Sequence, residues 1–254
     1  MTSPLKVWFE AEGCLLRLRL ARPKANIVDA TMIAALRTAL AEHLKNANLA
    51  GVLLDAEGPH FSFGASVEEH MPEHCAAMLK SIHALVLDLV DSPVPVIVAV
   101  RGQCLGGGLE VAAAGHMIFA TPDAAIGQPE MKIGVFAPAA SCLLPELIGP
   151  QRAIDLLLSG RSITGAEAAA IGLVQVAADP EAAALTYFNN HLKTKSASSL
   201  RFAVRAARCD YAVRMRTKIE RVERIYLEEL MKSNDAVEGL KAFVEKRAAQ
   251  WQHR

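Results

Sequence analysis

The sequence has no excess of either charge, no long apolar run and no secretory leader. Twenty-seven Lys and Arg residues balance 27 Asp and Glu residues in a chain of 254, so no overall field favours nucleic acid or an anionic membrane as a partner. No apolar stretch is long enough to cross a membrane, and the N-terminus MTSPLKVWFEAEG lacks the basic and apolar regions of a leader. We therefore expect a soluble, cytoplasmic protein.

Disulfide and metal frameworks are also missing. The five cysteines are widely spaced and form no CxxC pair, which favours free thiols in a reducing compartment. The segment HMPEH at 70–74 matches the HxxEH pattern of some zinc peptidases. Its proline disfavours the continuous helix that this motif needs. We interpret the segment as a solvated loop and expect no metal site. The cysteines are Cys14, Cys75, Cys104, Cys142 and Cys209.

Two common catalytic patterns do not occur. The glycines form neither GxGxxG nor GxxxxGK[ST], so neither dinucleotide binding nor a P-loop is supported. Ser141 and Cys142 lie outside any GxSxG elbow, and Cys142 is better interpreted as a buried free thiol than as a nucleophile.

The most informative stretch begins with an apolar run from Val94 to Val100. This run predicts a strand that is buried on both faces. The glycine triplet that begins at Gly106 follows, and the Ala-rich segment Leu109 to Ala114 predicts a helix. Backbone amides at a helix start lack partners, and glycines let an oxygen approach them closely. The stretch therefore predicts a site for an oxyanion.

Two carboxylates flank this site in the sequence. Glu110 falls in the first turn of the predicted helix, and Glu130 follows Gln128 and Pro129. Both residues also have an ordinary interpretation: an acid in a first turn complements the helix dipole, and an acid after proline is usually a solvated loop residue. The residues alone leave catalytic and structural roles open. The loop at Gly64 and Ala65 is equally open, because it follows a strand but glycine is also the commonest turn residue.

The remaining periodicity indicates an α/β first part and a helical last part. We predict a half-exposed strand at 15–20, a helix at 30–44 capped by Asp29, a helix at 75–90 and a capping box from Thr164 to Glu167. Beyond residue 180 only helices are predicted, at 181–192, 198–209, 215–231 and 236–251. We therefore expect an α/β core over residues 1–180 and a helical region over 181–254.

Several segments, in this order, are similar to motifs of the crotonase (enoyl-CoA hydratase/isomerase) superfamily. RPKANIVDA resembles its RPxxxNA motif, FSFGAS its FxxGAD loop, and RGQCLGGGLEVAAAGHMIFAT its GxxxGGGxELAxxCD segment. GQPEMKIG resembles GxPExxxG, and GLKAFVEKR resembles the C-terminal signature. The resemblance covers nearly the whole chain.

The resemblance implies a spiral of ββα units, with a helical C-terminal region that forms trimers, commonly paired into hexamers. It implies an acyl-CoA thioester as substrate and no cofactor, since CoA is part of that substrate. The amides of Ala65 and Gly107 would form an oxyanion hole, while Glu110 and Glu130 would hold and split water. The residues that would contact CoA are Lys24, Ser66, Phe243 and Lys246.

One segment departs from the family pattern. FAPAASCLL stands where the family usually has the glycine-rich PGxGGTQRL, so Phe136, Pro138 and Cys142 are expected to form an altered, apolar acyl wall. This segment, together with ARPKANIVDA, GPHFSFGAS and SSLRFAVRAAR, resembles members that hydrate a cyclic dienoyl thioester. The alternatives are a hydratase of a cyclic monoenoyl or linear enoyl thioester, and a non-catalytic binding protein that uses its C-terminal arginines. Balanced charge and both glutamates argue against the latter.

Overall fold

A computed structural model describes residues 3–254. Residues 1 and 2, which belong to the expected core region 1–180, lie outside the described range. The strands are β1 (Leu5–Glu10), β2 (Leu15–Leu20), β3 (Gly51–Ala56), β4 (Val96–Val100), β5 (Gln103–Leu105), β6 (Met117–Ala120), β7 (Ala125–Gly127), β8 (Ser162–Thr164) and β9 (Gln175–Val176). The α-helices are α1 (Ala30–His43), α2 (Cys75–Val90), α3 (Gly107–Ala114), α4 (Pro138–Ile148), α5 (Pro150–Ser159), α6 (Gly165–Ala170), α7 (Pro180–Tyr187), α8 (Ala197–Arg224) and α9 (Asn234–Val244).

The strands form two sheets. The larger has the order β1-β2-β3-β4-β6-β9, and only its β1–β2 pair is antiparallel. The smaller has the order β5-β7-β8, with β5 and β7 parallel. Strand β4 shows why its sequence is continuously apolar: Val96, Val98 and Val100 pack in the main core, while Ile97 and Ala99 pack in a second core beneath α7. Both faces of the large sheet are therefore covered.

Helix boundaries in the first part agree with the sequence patterns. Asp29 caps α1 by accepting a hydrogen bond from the Met32 amide at 2.9 Å. Thr164 and Glu167 form the predicted capping box at α6, with the Glu167 amide donating to Thr164 and the Thr164 amide donating to Glu167. These local signals were sufficient because each cap satisfies amides that the helix itself leaves unpaired.

The prediction that β2 is half-exposed was wrong. Arg17 is only 1% exposed and donates to Asp55 at 2.5 Å, to Glu181 at 2.7 Å and to Glu10 at 2.7 Å. Arg19 also donates to Asp55. Glu181 belongs to α7, which covers this face of the sheet. The alternating arginines thus mark a buried ion network rather than contact with water.

The C-terminal helices differ from the predicted segments. Residues 197–224 form one continuous helix, α8, which runs directly into the π-helical segment Ile225–Glu229. Helix α9 ends at Val244 rather than at Trp251. The chain then folds back, and the amides of Gln252 and His253 donate to the Asp235 carboxylate at the start of α9, each at 2.7 Å. Hydrogen bonds to a charged carboxylate thus hold the segment after Val244, where the sequence predicted further turns of helix.

Candidate active site

Three neighbouring chain segments end at one edge of the small sheet. Ser62 forms a parallel bridge with Cys104 of β5, and Cys104 pairs in parallel with Ile126 of β7. The chain therefore leaves all three segments in the same direction, and the carboxyl ends of parallel strands are where α/β proteins bind ligands. The predicted site residues that follow these segments are Ala65, Gly107, Glu110 and Glu130.

The amides of Ala65 and Gly107 lie close together. A Cβ atom on Gly107 would be 3.1 Å from the Ala65 nitrogen, so the two segments approach as near as a glycine allows. Gly64, with φ +109°, makes the turn that brings Ala65 to this position. Within residues 3–254, neither amide donates a hydrogen bond to the protein. Both N–H groups are thus available to one ligand oxygen.

Glu110 is a buried acid in the first turn of α3. It is 4% exposed, and its Oε1 accepts a hydrogen bond from the Ala140 amide at 2.9 Å. Burial raises the pKa of Glu110, whereas the Ala140 and Ala139 amides and His83 lower it. The amide of Ala140 belongs to the first turn of α4, which begins within the unusual segment FAPAASCLL (136–144). That segment therefore holds a carboxylate as well as shaping a wall.

Glu130 lies in the short 3-10 helix Pro129–Ile133, beside Gly106. Burial, and then the charge of Glu110, raise the pKa of Glu130 to about 8. Two nearby carboxylates that share a poorly solvated site cannot both ionise easily. Because burial and the Glu110 charge hold its pKa above neutral, Glu130 carries a proton near pH 7. Burial also favours the protonated form of Glu110, and the Ala140 amide opposes this.

The buried Gln128 amide contacts Glu130 and was not predicted as a site residue. With its nitrogen toward the carboxylate, it donates to Oε2 at 2.9 Å and to Oε1 at 3.1 Å. With its oxygen toward Glu130, it fits the protonated acid, and its nitrogen lies 3.4 Å from the Gly106 oxygen. An amide can serve both protonation states because it has a donor and an acceptor at one end.

A histidine on α2 also lies near Glu110. His83 is buried, and its Nδ1 lies 2.5 Å from Oε2 of Glu223 on α8. The hydrogen bond from His83 lowers the pKa of Glu223. A carboxylate at Nδ1 fixes the tautomer and the ring orientation. In the sequence, His83 occurs within an apolar helical face and Glu223 within a charged helix, so no local pattern indicated their pairing.

The predicted wall residues lie in or just before α4, the helix whose Ala140 amide contacts Glu110. Phe136 packs edge-on against Tyr226, with ring centroids 5.2 Å apart. Pro138 is the first residue of α4, and Cys142, one turn later, is a buried free thiol as predicted. Burial and the charge of Glu110 raise the pKa of Cys142 to about 12. Cys142 is thus a neutral, small apolar group beside the acid.

The four residues expected to contact CoA lie at the surface or near it. Lys24 is exposed, and Ser66 is half-buried and donates to Glu68 at 3.0 Å. Phe243 is 55% exposed in α9, and Lys246 follows that helix. In the part of the chain that the structure describes, neither lysine forms an ion pair with an acid. Their ammonium groups are free to meet phosphates.

Helix α8 carries several arginines, and at least four of them contact other parts of the chain. Arg208 donates to the carbonyls of Val90, Ala114 and Gly115, at the ends of α2 and α3. Arg201 donates to the Leu44 and Asn46 carbonyls. Two further arginines pair with acids: Arg214 contacts Glu146, and Arg216 contacts Asp91. These contacts attach α8 to the α/β part of the chain.

The structure also bears on metal and membrane binding. The 3-10 helix Glu68–His70 ends before α2 begins at Cys75, so the two histidines of HMPEH share no helix. Residues 3–254 contain no group of three or more His, Cys, Asp or Glu side chains arranged to hold a metal ion. Every helix in the same range is too short or too polar to cross a membrane.

Comparison with known proteins places this geometry in a family. Residues 10–254 match the family model described as enoyl-CoA hydratase/isomerase. The chain belongs to the enoyl-CoA hydratase/isomerase family. It is similar to the cyclohexa-1,5-dienecarbonyl-CoA hydratase of Thauera aromatica, with 69% identity over 100% of this chain and 98% of that protein. It is also similar to a probable enoyl-CoA hydratase of Bacillus subtilis (strain 168), with 30% identity over 92% of this chain and 93% of that protein.

The fold agrees with solved members of the enoyl-CoA hydratase/isomerase family. A crystal structure of an enoyl-CoA hydratase/isomerase from Xanthobacter autotrophicus Py2 superposes with a TM-score of 0.85, at 26% identity, over 97% of this chain and 98% of that chain. The predicted crotonase fold with a helical C-terminal region is therefore confirmed. The predicted family is confirmed as well.

Proposed function

We propose that the chain is a hydratase that adds water to cyclohexa-1,5-diene-1-carbonyl-CoA and forms 6-hydroxycyclohex-1-ene-1-carbonyl-CoA, a step of anaerobic benzoyl-CoA degradation. The structural observation that carries the proposal is the convergence of Glu110 and Glu130 beside the free amides of Ala65 and Gly107. The relative from Thauera aromatica supports the choice of substrate, because it is 69% identical to this chain over 98% of its own length.

The reaction is a 1,4-addition. A base takes one proton from water, and the oxygen bonds to the ring carbon β to the thioester carbonyl. The electron pair of the attacked double bond forms a double bond between the α carbon and the carbonyl carbon, and the carbonyl electron pair moves onto the oxygen. The resulting dienolate then takes a proton at its far, γ carbon. One water is consumed, one C–O and one C–H bond form, and one ring double bond remains conjugated with the thioester.

In this proposal the amides of Ala65 and Gly107 donate to the thioester oxygen. Negative charge develops on that oxygen only along the reaction path, so donors fixed there stabilise the transition state more than the substrate. The helix start at Gly107 adds its dipole to the same effect. No side chain is needed at either position, and a side chain on Gly107 would crowd Ala65.

Glu110 takes a proton from water in the hydration direction, and Glu130 donates a proton to the γ carbon. The support is electrostatic: burial and the charge of Glu110 raise the pKa of Glu130 to about 8, so Glu130 carries a proton to donate near pH 7. The Ala140 amide holds the ionised form of Glu110. In the reverse direction the two acids exchange roles.

The wall formed by Phe136, Pro138 and Cys142 would face the ring. An aromatic edge and a neutral thiol exclude water from a flat, apolar acyl group better than a glycine-rich turn does. Lys24 and Lys246 would contact CoA phosphates, with Ser66 and Phe243 nearby. Phe243 and Lys246 would come from a neighbouring subunit. The proposal includes a homotrimer or a pair of trimers, a cytoplasmic location and no cofactor beyond the CoA of the substrate.

Turnover of the purified protein on cyclohexa-1,5-diene-1-carbonyl-CoA and crotonyl-CoA tests the proposal, with products identified by chromatography and mass. We expect efficient hydration of the cyclic diene and little action on crotonyl-CoA. A preference for crotonyl-CoA would reduce the function to a general enoyl-CoA hydratase, and turnover of neither thioester would overturn it. Cyclohex-1-ene-1-carbonyl-CoA, as a third substrate, separates recognition of the ring from recognition of the diene.

A further inference from the structure

Tyr226 is a fully buried tyrosine whose hydroxyl has no partner in the protein. It is 0% exposed, and its oxygen forms no hydrogen bond with any residue of 3–254. A buried hydroxyl without a hydrogen bond costs folding free energy, and phenylalanine would fill the same space without that cost. The neighbouring aromatic residue of the same wall is in fact a phenylalanine, Phe136. The hydroxyl is therefore not explained by packing.

The surroundings of this hydroxyl are those of the active site. Burial raises the pKa of Tyr226, and the nearby Cys75, Glu130 and Glu110 raise it further. The geometric contact is with Phe136, the residue just before α4, whose ring lies 5.2 Å from the Tyr226 ring. The hydroxyl stays protonated at any pH at which the protein works, so it can donate a hydrogen bond but cannot act as a base.

The backbone at Tyr226 is irregular. Helix α8 gives way to the π-helical segment Ile225–Glu229, of which Tyr226 is the second residue. A π-helical turn inserts a residue into a helix and changes the direction of the side chains, and such turns are frequent at functional sites. Here the turn accompanies a side chain that is completely buried against Phe136, on the wall where we expect the ring of the substrate.

We propose that Tyr226 is a substrate-contacting residue whose hydroxyl donates a hydrogen bond to the oxygen that the enzyme adds to the ring. This inference rests on the proposed function. Glu110 and Glu130 would hold the attacking water, and Tyr226 packs against Phe136, the wall residue that we expect to face the ring. The same contact would hold the hydroxyl group of the product, so Tyr226 distinguishes hydroxylated from unhydroxylated ring thioesters.

The first test is the activity of the Tyr226→Phe variant, with Tyr211→Phe as a matched control. Tyr211 lies on α8, and its hydroxyl also has no partner among residues 3–254, but its ring packs against Arg208. We expect Tyr226→Phe to lower kcat/KM for the cyclic diene roughly 10- to 100-fold, because a positioned hydrogen bond to the reacting oxygen is lost. Tyr211→Phe should stay within about twofold of the wild type, because no group at the reacting carbons is removed. Wild-type kinetics of Tyr226→Phe would overturn the inference while leaving the proposed function intact.

The second test measures binding and does not depend on turnover. In the Glu130→Gln background, calorimetry compares 6-hydroxycyclohex-1-ene-1-carbonyl-CoA with cyclohex-1-ene-1-carbonyl-CoA, with and without Tyr226→Phe. We expect the tyrosine substitution to weaken the hydroxylated thioester roughly five- to tenfold and to leave the other unchanged, as loss of one hydrogen bond predicts. Equal weakening of both thioesters would reduce Tyr226 to an apolar wall residue. This result stands even if the wild-type protein hydrates a different thioester.

The thermal midpoint separates a structural role from a binding role. Because the hydroxyl is unpartnered in the free protein, Tyr226→Phe should melt at the wild-type temperature or above it. A lower midpoint together with lost activity would indicate that the hydroxyl serves the fold, and that outcome would contradict the inference.

Discussion

The carboxylate of Glu130 occupies the space that a side chain on Gly106 would need: a Cβ atom there would lie 2.5 Å from Oε1 of Glu130. Gly106 also has φ +51°, a conformation that favours glycine. The glycine before α3 is thus required by the position of the second acid. We expect Gly106→Ala to displace Glu130 and to lower hydration at least about 100-fold, because small misplacements of a reacting group are costly.

Gly172→Ala is the matched control for that substitution. Gly172 has φ +82°, but a Cβ atom there would meet nothing within 4 Å. Alanine at Gly172 carries a backbone cost of positive φ, whereas Gly106, with ψ −128°, lies outside the left-handed helical region, and alanine there is more strained. Recovery of folded Gly106→Ala protein is therefore measured before its activity is compared. Only Gly106→Ala should lose activity in steady-state assays of the folded proteins. Equal activity of the two variants would show that Glu130 does not need its place beside Gly106.

The two acids should be indispensable to the chemistry. Glu110→Gln and Glu130→Gln remove a base and an acid with little change of shape, and each should lower kcat about 100- to 10,000-fold, the usual contribution of positioned proton transfer. Single-turnover measurements on the cyclic diene would detect this loss. Glu42→Gln, on the exposed face of α1, should keep wild-type activity. Near-normal hydration by Glu130→Gln would remove Glu130 from the proton-donating role.

The pH dependence of hydration should report the proton on Glu130. Its folded-state pKa is raised to about 8, so the acid is protonated below that pH and ionised above it. Hydration needs the protonated form, and kcat/KM should therefore fall as the pH rises through about 8. Samples returned to pH 7 before assay serve as the control for irreversible loss. A rate that stays level well above pH 8 would contradict the assignment.

The buried ion network of β2 and β3 should contribute strongly to stability. Asp55→Ala leaves Arg17 buried with a weaker set of partners, and removing one member of a buried pair typically costs about 3–5 kcal/mol. Asp155→Ala is the matched control, because the Asp155–Arg161 pair has the same 2.5 Å separation as Asp55–Arg17 but is half-exposed. It should cost much less, because solvent screens an exposed ion pair. Urea unfolding of both variants measures the difference, and equal losses would show that burial does not strengthen the contribution of Asp55.

The sequence predicted those parts of the fold that depend on local signals. Caps at Asp29 and Thr164, and the apolar run of β4, were sufficient to place their elements, because each satisfies a requirement of its own segment. The exposure of β2 could not be predicted in this way. Arg17 is buried by Glu181, which is distant in the sequence, and alternation cannot reveal a partner from another element.

The site shows the same division. Motifs predicted Glu110, Glu130, Ala65 and Gly107 as candidates, and their roles stay proposals. The contacts around them were not predicted, because they cross between elements. His83 meets Glu223 from α8, and Ala140 reaches Glu110 through a backbone amide that has no side-chain signature. The division into residues 1–180 and 181–254 likewise stays a prediction, although α7 begins at Pro180.

The pairing of β5 with β7 separates two properties of this protein that could otherwise change together. Leu105 and Gly127 are paired in the last row of that ladder, and each glutamate follows a few residues after one of them. The spacing of the two segments that carry the acids is therefore set by main-chain hydrogen bonds. The walls around the acyl group come from α4 and from the turn after α8. Side chains of the wall can therefore be exchanged without moving the strands that carry the acids, as long as the Ala140 amide keeps its hydrogen bond with Glu110.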